Sequence, residues 1–427
     1  MSTEKQQGFD TLRIHAGYRP QEHNNSVQVP IYQTAAFDLV STERADRLFK
    51  FEEVGFLYSR VSNPTVAVLE ERAAALDGAA AALAVGSGMA AISYAILNAG
   101  EGGRVIAASR IYGATFDAYK KLYKRLGVEI DLLDDVNDLK ALRSLIKKDT
   151  KAVFLESISN PINAVADLEE IAAEVHKHGI PLIVDNTLAT PYLLNPIEYG
   201  ADVVVYSTTK AYSGHGAVIG GLILDAGKFN WLAGRHPQFE EKVFTLGDRN
   251  VVETFPAFPF AARARSIYLN LLGAPLAPFN AYLILQGLET LSERVRKESD
   301  SALRIATFLH KHPKVSWVSH PATPQNKYKK QAKKYFPKGT GGLFAFGFNG
   351  TEEESKRFIE ALKIFSFHVN IGDARSLISN SARTTHHELN DEELAATGIP
   401  IQTLRLSIGL EDVEDLIEDL RQAFDNY

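Results

Sequence analysis

The sequence predicts an α/β chain: a large, doubly wound, mostly parallel sheet domain followed by a smaller C-terminal α/β domain. Three observations carry this expectation. At 427 residues the chain exceeds one ordinary core. From Pro64 to about Leu224, short apolar runs alternate with amphipathic stretches at helical spacing, as when strands and helices wind in turn. Runs such as PLIVD (181–185) and DVVVYS (202–207) lack polar alternation, so both of their faces are buried, which is the mark of a parallel sheet.

Taken in order, residues 1–62 read as an N-terminal arm. VQVPIYQTAAF and the charged stretch after it suggest a short helix but no closed core. Residues 63–262 form the large domain. Its strand candidates are Ala80–Val85, Arg104–Ala108, Ala152–Glu156, Pro181–Asp185, Asp202–Ser207 and Gly220–Leu224. Helix candidates between them include Pro64–Asp77, Met89–Asn98, Phe116–Leu126 and Asp167–His178. The aromatic, turn-rich stretch from Gly227 to Phe260 reads as an irregular connection or lid. Residues 263–427 are the C-terminal domain: a long helix from near Pro278 past Leu291, a strand in GGLFAFGFNG, a helix in EEESKRFIEALKI, then a strand leading into a final amphipathic helix from Thr403 onward.

Composition narrows the partners. The net charge of -6, with acids and bases interspersed, offers no basic stripe to neutralise nucleic-acid phosphates. With no cysteine there is no disulfide scaffold, thiolate metal site or cysteine nucleophile. The opening residues lack an apolar h-region and no segment approaches ~18 uninterrupted apolar residues, so a cytoplasmic chain that neither spans nor enters a membrane is expected. The pairs His310/His312 and His386/His387 lack metal-site spacing with a flanking acid, so no metal is expected.

In open α/β sheets, ligands bind beyond the carboxyl ends of the strands. Here those ends carry polar residues. Val85 leads to Gly86, Ser87 and Gly88, opening a helix whose N–H groups suit a phosphate; Tyr112 follows the next strand; Glu156 leads to Ser157 and Asn160; the PLIVD run ends on Asp185; DVVVYS runs into Thr208, Thr209 and Lys210. Pyridoxal phosphate needs such a set at once: a lysine for covalent linkage, a carboxylate on its ring nitrogen, a phosphate cradle, a donor near its 3-hydroxyl and an aromatic on its face.

Bland readings compete. A lone lysine is usually a solvated surface charge, and a lone aspartate after a strand is often a helix cap. Their occurrence together at neighbouring strand ends favours the site. GSGMAA also fits G-x-G-x-x-A, but a nicotinamide dehydrogenase expects an acid closing the next strand, where this chain has Ser109 and Arg110. A hydrolase elbow fails because G-x-S-x-G is absent at Ser87. The charged patch KYKKQAKKY and the acidic C-terminal helix read as solvated faces. A non-catalytic member of the fold remains the rival from another class.

VPIYQTAAF, FLYSRVSNPT, AVGSGMAA, ESISNP, IPLIVDNTLATPYL, VVVYSTTKAYSGHG and LRLSIGLEDVEDL occur in order over essentially the whole chain. In these segments the chain resembles the cysteine and methionine metabolism family of fold-type-I pyridoxal-phosphate enzymes, whose fold is that of aspartate aminotransferase. The resemblance implies that Lys210 forms the Schiff base, Asp185 pairs with the ring nitrogen, Asn160 approaches the 3-hydroxyl and Tyr112 stacks on the ring. It implies phosphate contacts from Gly88, Met89, Ser207 and Thr209, and from Tyr58 and Arg60 of a neighbouring subunit, in a homotetramer built as a dimer of dimers. Arg405 would fork onto the substrate carboxylate, with Asn370 beside it. Lys210, assisted by Tyr112 and Tyr58, would move protons.

The family performs β- and γ-eliminations and replacements. NIGDARSL (370–377), SGHGAVIGG from Ser213, the FDTLRIHAGYRP opening and the long insert before FAARAR resemble the branch that exchanges the acyl group of O-acetyl-L-homoserine for sulfide or methanethiol, giving homocysteine or methionine and acetate. Methionine γ-lyase and the cystathionine γ-synthases and γ-lyases are the alternatives. The lyase usually carries cysteine where this chain has Ala114. Ala211 after the lysine and SNSARTTH (379–386) depart from the sulfide-using pattern.

Overall fold

The computed structural model describes residues 7–324, 326–380 and 400–427. Its main sheet has seven strands: β1 (Ala81–Val85), β2 (Arg104–Ala108), β3 (Glu129–Leu133), β4 (Thr150–Glu156), β5 (Leu182–Asp185), β6 (Val203–Ser207) and β7 (Gly221–Asp225). They lie in the order β1-β7-β6-β5-β4-β2-β3, and β7 runs antiparallel to both its neighbours while the block from β3 to β6 is parallel. Every residue of β5 and the Val203–Tyr206 stretch of β6 are buried, as expected of apolar runs covered by helices on both faces.

Local chemistry sets where helices begin. Asn63 Oδ1 accepts the Thr65 N–H at 3.0 Å, Pro64 fills the first turn, and Gly78 closes the helix Pro64–Asp77 in the left-handed region at φ +64°. The strands end within a residue or two of their sequence expectation. β3 was not expected from sequence: EIDLL lies at the sheet edge with most of its residues half-exposed, so it lacks the continuous apolar signal.

The stretch from Gly227 to Phe260 is irregular, with short turns, a two-stranded ribbon of β8 (Lys242–Val243) and β9 (Arg249–Asn250), the short helix Val251–Thr254 and the start of the helix Pro259–Arg263. The second sheet is β10 (Val315–Val318), β11 (Leu343–Phe348), β12 (Ser366–Phe367), β13 (Leu377–Asn380) and β14 (Thr403–Ser407), ordered β10-β11-β14-β13-β12.

One expectation changes here. The long helix from Pro278 is two helices, Pro278–Leu288 and Leu291–His310. The Arg294 guanidinium takes the Gly287 carbonyl at 2.7 Å, and the chain breaks at Glu289 and Thr290. The core around the main sheet also takes in residues beyond Arg263. Ala264, Leu269, Leu276, Ala281 and Ile284 pack into the large-domain core, whereas the C-terminal core gathers Ala302, Phe344, Phe358, Leu406 and Leu420. Among the described residues no helix is long and apolar enough to cross a membrane.

Leu406 is fully buried on β14, one residue from Arg405. Leu406→Ala should lower unfolding free energy by about 2–5 kcal/mol, read as a drop in denaturant midpoint without a change in slope.

Candidate active site

Because β2, β4, β5 and β6 are parallel, their carboxyl ends share one rim. A cavity of about 230 Å³ opens there. It gathers Gly88, Met89, Tyr112, Asn160, Asp185, Ser207, Thr209, Lys210, Asn370 and Arg405. Tyr58 and Arg60 are not in it. Tyr58 is 46 % exposed, and Arg60 donates to the carbonyl and, at 2.7 Å, to the side chain of Asn270.

The helix Gly88–Gly100 starts at the cavity wall. Ser87 Oγ accepts the Ala90 N–H at 3.1 Å, so Gly88 and Met89 lie in the first turn at the positive end of the helix dipole. A Cβ on Gly88 would come within 2.5 Å of Ser207 Cβ, so only glycine lets this helix end close onto the end of β6. Thr187 Oγ1 accepts the Ser207 N–H at 2.8 Å, and Thr209 Oγ1 accepts the Gly220 N–H at 3.1 Å.

Lys210 Nζ donates to Asn370 Oδ1 at 2.9 Å. Burial, and then the Arg405 cation, pull its ammonium down to about 8. Asp185 Oδ1 accepts the Thr187 N–H at 2.9 Å, and burial pushes the Asp185 carboxyl upward. Arg405 arrives from β14 of the other sheet and is 2 % exposed. Its Nη1 donates to Asn160 Oδ1 at 3.1 Å and its Nη2 to the Asn370 carbonyl at 3.3 Å, while its Nε finds no partner among the described residues. Burial pulls it down to about 10, still a cation at neutral pH.

The two segments that set the γ-replacement branch apart in sequence meet in space. Ala374 N–H donates to the Gly214 carbonyl at 2.9 Å, and a Cβ on Gly216 would collide with the Asp373 carboxylate. SGHG and NIGDA therefore dock on each other beside Lys210. Ala211 packs against Gly372, a Cβ on which would come within 2.6 Å of the Ala211 nitrogen. Of SNSARTTH, Ser379 and Asn380 close β13, and the remainder lies outside the described residues, as do His386 and His387.

The donor set fits pyridoxal phosphate: an amine that loses its proton near neutrality, a carboxylate neighbour, a helix N-terminus closed by a glycine, and a buried guanidinium with an unfilled donor. The family model for Cys/Met metabolism PLP-dependent enzymes matches residues 10–425. The chain belongs to that family. It is an enzyme whose cofactor is pyridoxal 5'-phosphate. Homocysteine synthase of Schizosaccharomyces pombe is 40 % identical to it over 98 % of both chains. O-acetyl-L-homoserine sulfhydrylase 1 of Thermus thermophilus is 41 % identical over 97 % of this chain and 99 % of its own. A crystal structure from Campylobacter jejuni, named as an O-acetylhomoserine (thiol)-lyase and carrying a pyridoxyl-lysine monophosphate residue, superposes with a TM-score of 0.94. It is 40 % identical and covers 98 % of this chain and 100 % of that one.

Sequence reasoning named Glu156 only as the end of a strand. It lines the cavity, with Oε1 accepting the Tyr112 N–H and Oε2 the Asn160 N–H, each at 2.9 Å. Burial and the Asp185 charge push its carboxyl upward. The signal was present: AVFLE ends as PLIVD does, with an acid closing an apolar run.

The Lys210 amine fixes a pH dependence. A group pulled down to about 8 is charged below that pH and nucleophilic above it. Capture of pyridoxal 5'-phosphate by the apo-protein should quicken about tenfold per pH unit up to about 8 and then level. Arg405→Met should move that midpoint upward, measured by stopped-flow absorbance.

Proposed function

We propose that this enzyme carries out γ-replacement on O-acetyl-L-homoserine, joining sulfide or methanethiol to give L-homocysteine or L-methionine with release of acetate. The observation that carries it is the single cavity in which Lys210, Asp185, the Gly88 helix end and Arg405 converge. Support for the substrate comes from the homocysteine synthase and O-acetyl-L-homoserine sulfhydrylase at about 40 % identity along nearly the whole chain.

In this reading Lys210 anchors the cofactor and, once free, takes the proton from the substrate α-carbon on Nζ. Its low proton affinity, set by burial and Arg405, keeps the amine available near neutral pH. Bound pyridoxal phosphate supplies the electron sink for bonds broken at the α-carbon. Asp185 holds the proton on the ring nitrogen; a cation beside it offsets the burial that now pushes its carboxyl up. Tyr112 would hold the ring face, Asn160 would donate near the 3-hydroxyl, and Gly88, Met89, Ser207 and Thr209 would hold the phosphate. Arg405 turns its unpartnered Nε and a second N–H to the substrate carboxylate, with Asn370 releasing Lys210 to steady the same group. A second proton leaves the β-carbon, acetate departs from the γ-carbon with the C–O bonding electrons, the thiol sulfur bonds there as its proton passes to a site base, and protons return to the β- and α-carbons to complete the product. Tyr112 and Tyr58 assist these proton movements.

We further propose a cytoplasmic homotetramer, a dimer of dimers, in which Tyr58 and Arg60 reach the phosphate in the neighbouring subunit. Supporting this, both lie outside their own cavity, in an arm that exposes Val27, Val40 and Val54. The unit boundaries proposed are 1–62, 63–262 and 263–427, with the packing of Ala264–Leu288 on the larger unit noted above.

Three outcomes test the reading and the proposed assembly. Steady-state assay should show O-acetyl-L-homoserine plus sulfide yielding homocysteine far faster than the acylhomoserine alone yields 2-oxobutyrate. Arg405→Lys should lower kcat/KM roughly 10- to 100-fold, with oxoacid leakage rising relative to homocysteine. Efficient release of methanethiol from methionine, with acylhomoserine ignored, would establish the lyase instead. Mixing inactive Lys210→Ala with inactive Arg60→Ala subunits should restore activity, because some hybrid sites receive both intact residues. No recovery despite demonstrated subunit exchange would exclude shared sites.

A further inference from the structure

Glu156 is a buried carboxylate that the chemistry above does not use. It closes β4 in register with Asp185, which closes β5. Both of its oxygens are engaged, and by different parts of the chain. Oε1 holds the N–H of Tyr112, in the turn after β2, and Oε2 holds the N–H of Asn160, in the turn after β4. Asn160 Oδ1 in turn accepts from Arg405, carried in by the second sheet. One side chain thus links three walls of the cavity.

Tyr112 opens the helix Gly113–Lys121 with no side-chain cap of its own, so the hydrogen bond to Glu156 is what ties its backbone to the sheet. We propose that Glu156 is a positioning residue that sets the separation of the Tyr112 ring and the Asn160 amide and so shapes the cofactor slot before the cofactor enters. This rests on the cofactor-facing roles proposed for Tyr112 and Asn160. Two converging N–H donors need a group with two acceptor oxygens and no donor, which is a carboxylate. Glutamine would turn an NH₂ toward one of them. Burial and then the Asp185 charge push the Glu156 carboxyl upward, and the two N–H bonds oppose that shift without cancelling it.

The test titrates apo-protein with pyridoxal 5'-phosphate. Glu156→Gln should melt near the wild-type temperature, bind the cofactor about tenfold or more weakly, and lose most of the visible circular dichroism that reports a ring fixed in one orientation. Glu156→Asp, with both oxygens withdrawn by one methylene, should show the same losses and serves if the glutamine variant does not fold. In the wild-type apo-protein the Tyr112 and Asn160 amides should exchange hydrogen slowly, and in either variant quickly, with β4 and β5 unchanged. Wild-type affinity and dichroism in Glu156→Gln overturn the proposal. So does fast exchange of both amides in wild-type apo-protein, a measurement that needs no variant. Wild-type protein that takes up no pyridoxal phosphate defeats the cofactor assignment and this proposal with it, whereas equal binding by wild type and variant defeats only the positioning role.

Discussion

The pairing of β4 with β5, which sets Glu156 opposite Asp185, is the contact from which the rest of the site is built. Parallel pairing forces neighbouring strands to finish on the same side, and the apolar runs before these two acids are long enough to be fixed by burial on both faces. A slip of one residue would turn each acid into the opposite helix layer. Once register is set, β6 follows alongside β5 and delivers Lys210 three residues beyond its end. The helix Gly88–Gly100 closes against the same strand through a glycine.

Burial then gives the assembled groups their chemistry. Exposed, Lys210 would hold its proton firmly and Asp185 would lose its own; in the cavity the first is pulled down and the second pushed up. These perturbations cost stability, and they are offset by the apolar interior beneath the rim. A bound ring cation and a substrate carboxylate would give the acids and Arg405 the counter-charges they lack, so affinity and chemistry draw on the same desolvation.

A guanidinium organises the second layer as well. Arg294 donates to the carbonyls of Ala211 and Gly287, which binds the residue after Lys210 to the break between two helices of the C-terminal half. The Gly214 and Ala374 loops add a direct backbone bond. The lysine loop is thereby held by both sheets' surroundings, and both sheets contribute walls to the cavity.

The sequence by itself determined six of the seven strands of the large sheet, its mostly parallel character and several of the residues that line the cavity, because buried runs and strand-end polar residues are local signals. Tyr112, Asp185, Lys210 and the Gly88 helix end could be read that way, and Arg405 through the resemblance of LRLSIG. What the tertiary structure alone decided involves partners far apart in the chain. β3 is an edge strand whose half-exposed residues carry no clear period. The helix break before Leu291 sits where Arg294 donates to the Gly287 carbonyl from the following helix. The allegiance of Ala264–Leu288 to the larger core depends on which surface is nearer, not on its own periodicity. Glu156 was visible as an acid after an apolar run, but that its two oxygens reach Tyr112 and Asn160 depends on the packing of three turns. Register places a residue on a face; only packed neighbours decide what its atoms touch.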